Sequence, residues 1–272
     1  MVVSQQSPLP PQLLVQSVPA QRPPPHWTWP GTTHEPAPLQ VDAAQTFTLG
    51  GGTLSFHTIN LMPHAATPAR IALTGNVTFS GQSGIPATIA NGAGSGSSGL
   101  VDLGGAARTF NVVNVTAGID FEMNVPVTNG ALNKIGTGTL ALNAANTYTG
   151  DTTIQGGRIE LAGSLNGNVV VSGGVLAFGA ATGIRQVNGN LAVNSGGTVR
   201  VRVNGTSSGS QYDRLSLTNA ASTVTLGGAL DLIAAPGLAA GSTFRIIENT
   251  GSAAVNGTFA GRAQNAEFYE DG

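Results

Sequence analysis

The 272-residue sequence contains no cysteine. That removes disulfides, thiolate nucleophiles and Cys-based zinc sites together, and it suits passage through an oxidising compartment where stray thiols mispair. Charge is nearly as scarce: 9% of residues are Asp, Glu, Lys or Arg, against roughly 25% in an average soluble protein. The formal net charge is −2 and Lys134 is the only lysine, so there is no basic run to attract nucleic acid, which is excluded as a partner class. Aromatic residues make up 5%. No stretch reaches the ~20 apolar residues of a transmembrane helix. The start, Met1 to Gln16, has neither the basic nor the apolar region of a secretory signal. Any export signal is therefore expected upstream of a misplaced start, or elsewhere in a longer gene.

What is abundant is glycine, 39 residues of it, with Ala, Val, Leu, Thr, Ser and Asn. A chain this poor in charge covers itself with hydroxyls and amides, which suit the solvated face of β-structure better than the polar stripe of a helix. Residues 1–40 stand apart: they hold ten of the fifteen prolines, among them Pro23, Pro24 and Pro25, and a single glycine, Gly31. Such a density of proline excludes regular helix or sheet, so this segment reads as a disordered, polyproline-like leader or linker.

From Val41 to Gly272 the pattern changes to short runs with period-two alternation, punctuated by Gly, Asn and Ser. Thr46–Leu49, Arg70–Leu73, Thr139–Leu142, Arg158–Leu161, Thr198–Val203 and Thr243–Ile247 are examples. The Ser/Gly-rich stretch 93–99 reads as a corner loop between equivalent strands and not as a domain boundary. Gly-x-Leu/Val-x-Leu/Val recurs at Gly138-Thr-Leu-Ala-Leu142, Gly157-Arg-Ile-Glu-Leu161, Gly174-Val-Leu-Ala-Phe178 and Gly197-Thr-Val-Arg-Val201. This self-similarity selects a β-solenoid, with inward Val, Leu and Ile in ladders, Gly and Asn at the corners and coils of ~20–25 residues. Asn143, Asn146, Asn166, Asn188 and Asn204 are candidates for stacked amide ladders.

One segment is more specific. Lys134 is followed by Gly136-Thr-Gly138-Thr-Leu140, then Asn146-Thr-Tyr148-Thr-Gly150, then Thr152-Thr153 and Gly157 before the next apolar strand. Residues 133–161 resemble the autotransporter-associated β-strand repeat, also described as the passenger-associated transport repeat. More loosely, the part that follows, through Tyr212-Asp213 and Gly257-Thr-Phe259, is similar to the C-terminal part of many repeat-containing bacterial surface proteins. The resemblance implies an all-β fold, a right-handed parallel β-helix, in an exported passenger region commonly followed by an outer-membrane β-barrel. No barrel-like series of strands is present, so either the barrel is expected on missing downstream sequence or the protein is expected to be exported by another route. It also implies an extracellular or cell-surface location, with extracellular polysaccharide or a host or neighbour-cell surface protein as the partner class.

The search for chemistry returns little. All four histidines, His26, His34, His57 and His64, lie in the first quarter of the chain, and no Gly-x-Ser-x-Gly elbow accompanies them. Asp120 and Glu122, two apart, would share one side of a strand, as an acid/base or calcium-holding pair or as an ordinary solvated face. Arg200 and Arg202, with Asp213 and Arg214 nearby, would form an anion patch, an ion-pair cluster or a solvated face. Tyr148, Tyr212, Phe244, Phe259, Phe268 and Tyr269 are spaced as core or cap positions, and the four Asn-x-Thr sequons follow from composition alone. The expectation is a non-catalytic structural or adhesive segment with no catalytic residue, cofactor or metal; the competing reading is a polysaccharide lyase or hydrolase on the same fold.

Overall fold

The computed structural model describes residues 39–262 apart from 43–45, 55, 63–67, 81–83 and 93–97. The chain divides after Ala37 into two units, and every described strand belongs to the second. The Pro-rich reading of residues 1–40 thus lies outside the described residues, except that Leu39 and Gln40 already belong to the first strand. The described part is all β, with every strand-to-strand pairing parallel.

The strands fall on three faces of a coil that repeats nine times. The first face carries Leu39–Asp42, Thr58–Met62, Ala87–Asn91, Phe121–Met123, Thr139–Leu142, Arg158–Leu161, Val175–Ala177, Thr198–Val203 and Ala229–Ala234 in that spatial order. The third face carries Gly52–Leu54, Val77–Phe79, Ala107–Val112, Ala131–Ile135, Thr152–Ile154, Val169–Val171, Leu191–Val193, Val224–Leu226 and Val255–Gly257. The second face is split into two four-stranded sheets. One holds Thr46–Leu49, Arg70–Leu73, Leu100–Asp102 and Val127–Thr128; the other holds Ser164–Leu165, Ile184–Val187, Arg214–Leu217 and Ile247–Asn249. This is a parallel β-helix.

Alternation explains the core. On the first face Phe121, Leu140, Ile159, Leu176 and Val199 stack in register, and each is fully buried. On the third face Leu132 aligns with Thr152, Val169, Leu191 and Val224, again all buried. Each such aliphatic side chain, removed from water, contributes about 1.5–3 kcal/mol. Where Phe79 and Phe121 meet, aromatic packing takes over, with ring centroids 4.0 Å apart.

Coil length departs from the expected ~20–25 residues. Phe121 stands beside Ala87 on one side and Leu140 on the other, steps of 34 and 19 residues. Ile159 to Leu176 is a step of 17, and Val199 to Leu230 one of 31. Strands vary only between two and six residues, and the corners absorb most of the difference. Coils four to six, where the repeat lies, turn from first to second face within a few residues, whereas 204–213 and 235–246 are loops at the same corner. Of the expected corner loop 93–99, Ser98 and Gly99 precede the second-face strand of the third coil, and residues 93–97 are outside the described set.

Candidate functional site

In the fifth coil the second face has no strand: between Thr139–Leu142 and Thr152–Ile154 the chain makes only one bridge, Ala145 to Ser164. Asn146 replaces the missing strand. Its Oδ1 accepts from Val127 N–H at 3.0 Å in the coil before, and its Nδ2 donates to Ser164 O at 3.1 Å in the coil after and to Ala144 O at 2.9 Å. Its own main-chain N–H donates to Ser164 O at 3.0 Å, and Thr147 N–H to Val127 O at 2.9 Å. The residue is 3% exposed, so its side-chain amide is removed from water, and either end left without these bonds would cost about 1–3 kcal/mol.

The remaining residues of the repeat close the opposite corner. Leu132 faces inward, so Lys134, two residues on, does too; it sits in a ladder between Phe110 and Ile154 and is fully buried. Its Nζ donates to Ile135 O at 2.8 Å, Gly136 O at 3.1 Å and Gly156 O at 3.1 Å, tying the turn of one coil to that of the next. Desolvation pulls its pKa from 10.5 down to about 8, with the charge of Asp120 opposing the fall. Gly136 has φ of +76°, and a Cβ on Gly138 would lie 2.7 Å from Val113 O and 2.9 Å from Asp120 Oδ2. Tyr148 is wholly buried, its hydroxyl 2.7 Å from Thr152 Oγ1, and burial raises the phenol above its usual 10.

Asp120 belongs to this corner. It precedes the strand Phe121–Met123, is 2% exposed, and accepts from Val115 N–H at 2.7 Å, Thr116 N–H at 2.8 Å and Thr139 N–H at 2.7 Å. Glu122 sits on the half-buried outer side of the strand, 3.4 Å from Asn124 Nδ2. The two carboxylates therefore do not share a solvated face, because the chain turns between them.

Arg200 and Arg202 do lie on one strand, but each guanidinium is engaged. Arg200 pairs with Asp231 at 2.6 Å. Arg202 pairs with the 1%-exposed Asp213 at 2.9 Å and donates to the carbonyls of Phe178, Ala180 and Ala181. Arg214 pairs with Glu248 at 3.3 Å. Arg185, registered on the buried Leu215, donates to Leu161 O and Ala181 O, and burial lowers its pKa. These residues form an ion-pair cluster that fastens corner loops. Among the candidate amide ladders, Asn143 bonds Asn124 and Asn188 bonds Asn166, both at 2.6 Å, while Asn204 instead pairs its main-chain N–H with Gln211 O. A longer line at the entry to the third face runs from Asp151 through Asn168 and Asn190 to Thr223. Sequence reading missed this line, although its members all immediately precede third-face strands.

Tyr212 is buried and packs edge-on against half-buried Phe244 at 5.4 Å; Phe259 is also buried. Phe268, Tyr269, His26, His34 and His64 lie outside the described residues. Among the described residues no three His, Asp or Glu side chains converge as a metal site would require. The shallow depression between Gly84 and Asn114–Ala117 is open and has no charged lining. No helix among the described residues is long and apolar enough to cross a membrane.

Residues 132–161 match the passenger-associated-transport-repeat family. No curated protein and no solved structure matches the chain. The matched span contains the fifth coil's Asn146 bridge, the Lys134 corner and the buried Tyr148, so the similarity to the passenger-associated transport repeat falls on one short coil of a parallel β-helix.

Proposed function

We propose that the chain is a non-catalytic structural or adhesive passenger segment of a bacterial surface or secreted protein. The observation that carries this reading is the employment of the repeat's distinctive side chains: Lys134, Asn146 and Tyr148 are buried and spend their polar atoms on neighbouring coils. The motif encodes how short coils close. In this reading the segment sits outside the cell, presents a low-charge face to polysaccharide or to another cell's surface protein, and is carried there by an outer-membrane β-barrel encoded downstream. The carbohydrate-active alternative loses its best pair, since Asp120 is enclosed by three main-chain donors.

The test places the whole chain between a secretory signal and an autotransporter barrel in a Gram-negative host. Added protease should find the segment on intact cells and leave a resistant core, and the purified chain should release no reducing ends or unsaturated products from acidic and neutral polysaccharides. Retention inside the cell would overturn the passenger reading. Turnover that survives purification would overturn the non-catalytic one.

A further inference from the structure

Asparagine followed by glycine is a reactive pair. Glycine has no side chain to shield its amide nitrogen, and that nitrogen can attack the preceding side-chain carbonyl carbon and close a five-membered ring. The pair occurs six times among the described residues, at Asn91, Asn129, Asn166, Asn188, Asn204 and Asn256. Ring closure needs the asparagine side chain to swing toward the main chain, so any bond that holds the amide slows the reaction.

Four of these amides are held. Asn91 Oδ1 accepts from Gly99 N–H at 2.8 Å and its Nδ2 donates to Ser98 Oγ at 3.2 Å, while the Gly92 nitrogen that would attack donates to Leu61 O at 2.7 Å. Asn129 Nδ2 donates to the Asp102 carboxylate at 3.0 Å. Asn188 Nδ2 donates to Asn166 Oδ1 at 2.6 Å, so each restrains the other. Asn256 makes no such bond but lies in the strand Val255–Gly257, in register with Thr225, and extended main chain turns the next nitrogen away from the side chain. Asn204 escapes both restraints. It is exposed, it stands in the corner loop just past the strand Thr198–Val203, and its side chain makes no bond to any described residue. Its own N–H is tied to Gln211 O at 2.7 Å, which anchors the main chain and leaves the amide to rotate, and Gly205 N–H has no acceptor among the described residues.

We infer that Asn204 is a modification site, at which water converts the asparagine to aspartate and isoaspartate without an enzyme. The Gly205 nitrogen, its proton taken by hydroxide, forms a bond to Asn204 Cγ; the bond from Cγ to Nδ2 breaks and ammonia leaves. Water then opens the cyclic imide at either carbonyl. One opening gives aspartate, and the other gives isoaspartate, with the main chain rerouted through the side chain. Water enters, ammonia leaves, and no oxidant or metal takes part. The product adds a negative charge to a chain whose net charge is −2, inside the loop that Arg202 and Asp213 fasten. The bonded corner amides thereby gain a second role: besides joining coils, they keep their own asparagines from reacting. None of this depends on the passenger reading, and it is tested without export, so either can fail alone.

The experiment is incubation of the full folded chain at mildly alkaline pH, followed by digestion at acid pH and mass spectrometry of the peptides, which reads replacement of NH2 by OH at each asparagine. Asn204 should convert about tenfold faster than Asn91, Asn129, Asn166 or Asn188, the ratio that one restraining bond of about 1.4 kcal/mol imposes, and Asn256 should lag too. In the urea-unfolded chain all six should react at similar rates, because the fold and not the dipeptide sets the order. Asn188→Ala removes the exposed partner of Asn166; it should speed conversion at Asn166 by a similar factor while far-UV circular dichroism stays unchanged. Another pair leading in the folded chain, equal rates at Asn204 and the four bonded sites, or the same spread of rates in urea would each overturn the inference. An unaltered rate at Asn166 in folded Asn188→Ala would overturn the protective role of the bonded amides.

Discussion

Replacing Asn146 by aspartate changes one group, NH2 to O, and tests whether a side chain stands in for a strand. The assignment of the amide is fixed by its neighbours, since Val127 N–H can only donate and Ala144 O and Ser164 O can only accept. In Asn146→Asp the bond from Val127 survives, but the second oxygen faces two carbonyls at 2.9 and 3.1 Å. Both carbonyls lose this donor, although Ser164 O keeps the Asn146 main-chain N–H and Ala144 O the Ser164 N–H, so most of the expected loss of about 3–5 kcal/mol near neutral pH comes from the charge enclosed beside them. Asn143→Ala, which removes an exposed amide with one side-chain partner, should change stability by less than about 0.5 kcal/mol. The introduced carboxyl is destabilised when ionised, so its folded pKa lies above the unfolded ~3.9. Its protonated form regains one donor. The stability gap to wild type should then be smallest below pH ~4 and widen as pH rises through the elevated pKa. Urea denaturation at acid and neutral pH, with unchanged slope, reads this directly. A gap under about 1 kcal/mol at pH 7, or one independent of pH, would refute the bridging role.

Lys134 predicts the opposite pH course in the wild-type chain: its folded pKa of about 8 lies below the unfolded 10.5, so the unfolded chain holds more protons between those values. Relative to Lys134→Met, wild-type stability should therefore rise from pH 8 to 10.5, by at most about 3 kcal/mol, in parallel denaturation series. Gly138→Ala drives a Cβ against Val113 O and Asp120 and should cost about 1–3 kcal/mol, whereas Gly118→Ala, with open space around it, should be nearly neutral. Tyr148→Phe leaves Thr152 Oγ1 without its 2.7 Å partner and should lower stability by about 1 kcal/mol while preserving the fold, as thermal unfolding and circular dichroism can show.

Much of the coil was legible because alternation reports which side of a strand a residue faces. Thr46–Leu49, Arg70–Leu73, Thr139–Leu142, Arg158–Leu161 and Thr198–Val203 form with the bounds the pattern suggests. Alternation says nothing about corners, and corners dominate the coil length; a step of 17 residues and one of 34 differ more in their corners than in their strands. The expected strand Thr243–Ile247 fails for this reason: strand begins only at Ile247, and the preceding residues form a corner loop in which Phe244 packs on Tyr212.

The Asp120 error has the same origin and shows where chemistry and architecture part. Two residues of separation put side chains on one side only while the chain stays extended, and the strand starts at Phe121. Asp120 is in the turn, where a carboxylate can gather three N–H groups that a strand would have used. Lys134 is the converse case. Alternation from Leu132 and register with the buried Ile154 place it inward, although lysine is seldom buried. Periodicity won because three corner carbonyls were waiting for donors. A rare charged residue in a chain with 9% charge is thus first a question about unpaired main-chain groups, and only afterwards a question about substrate.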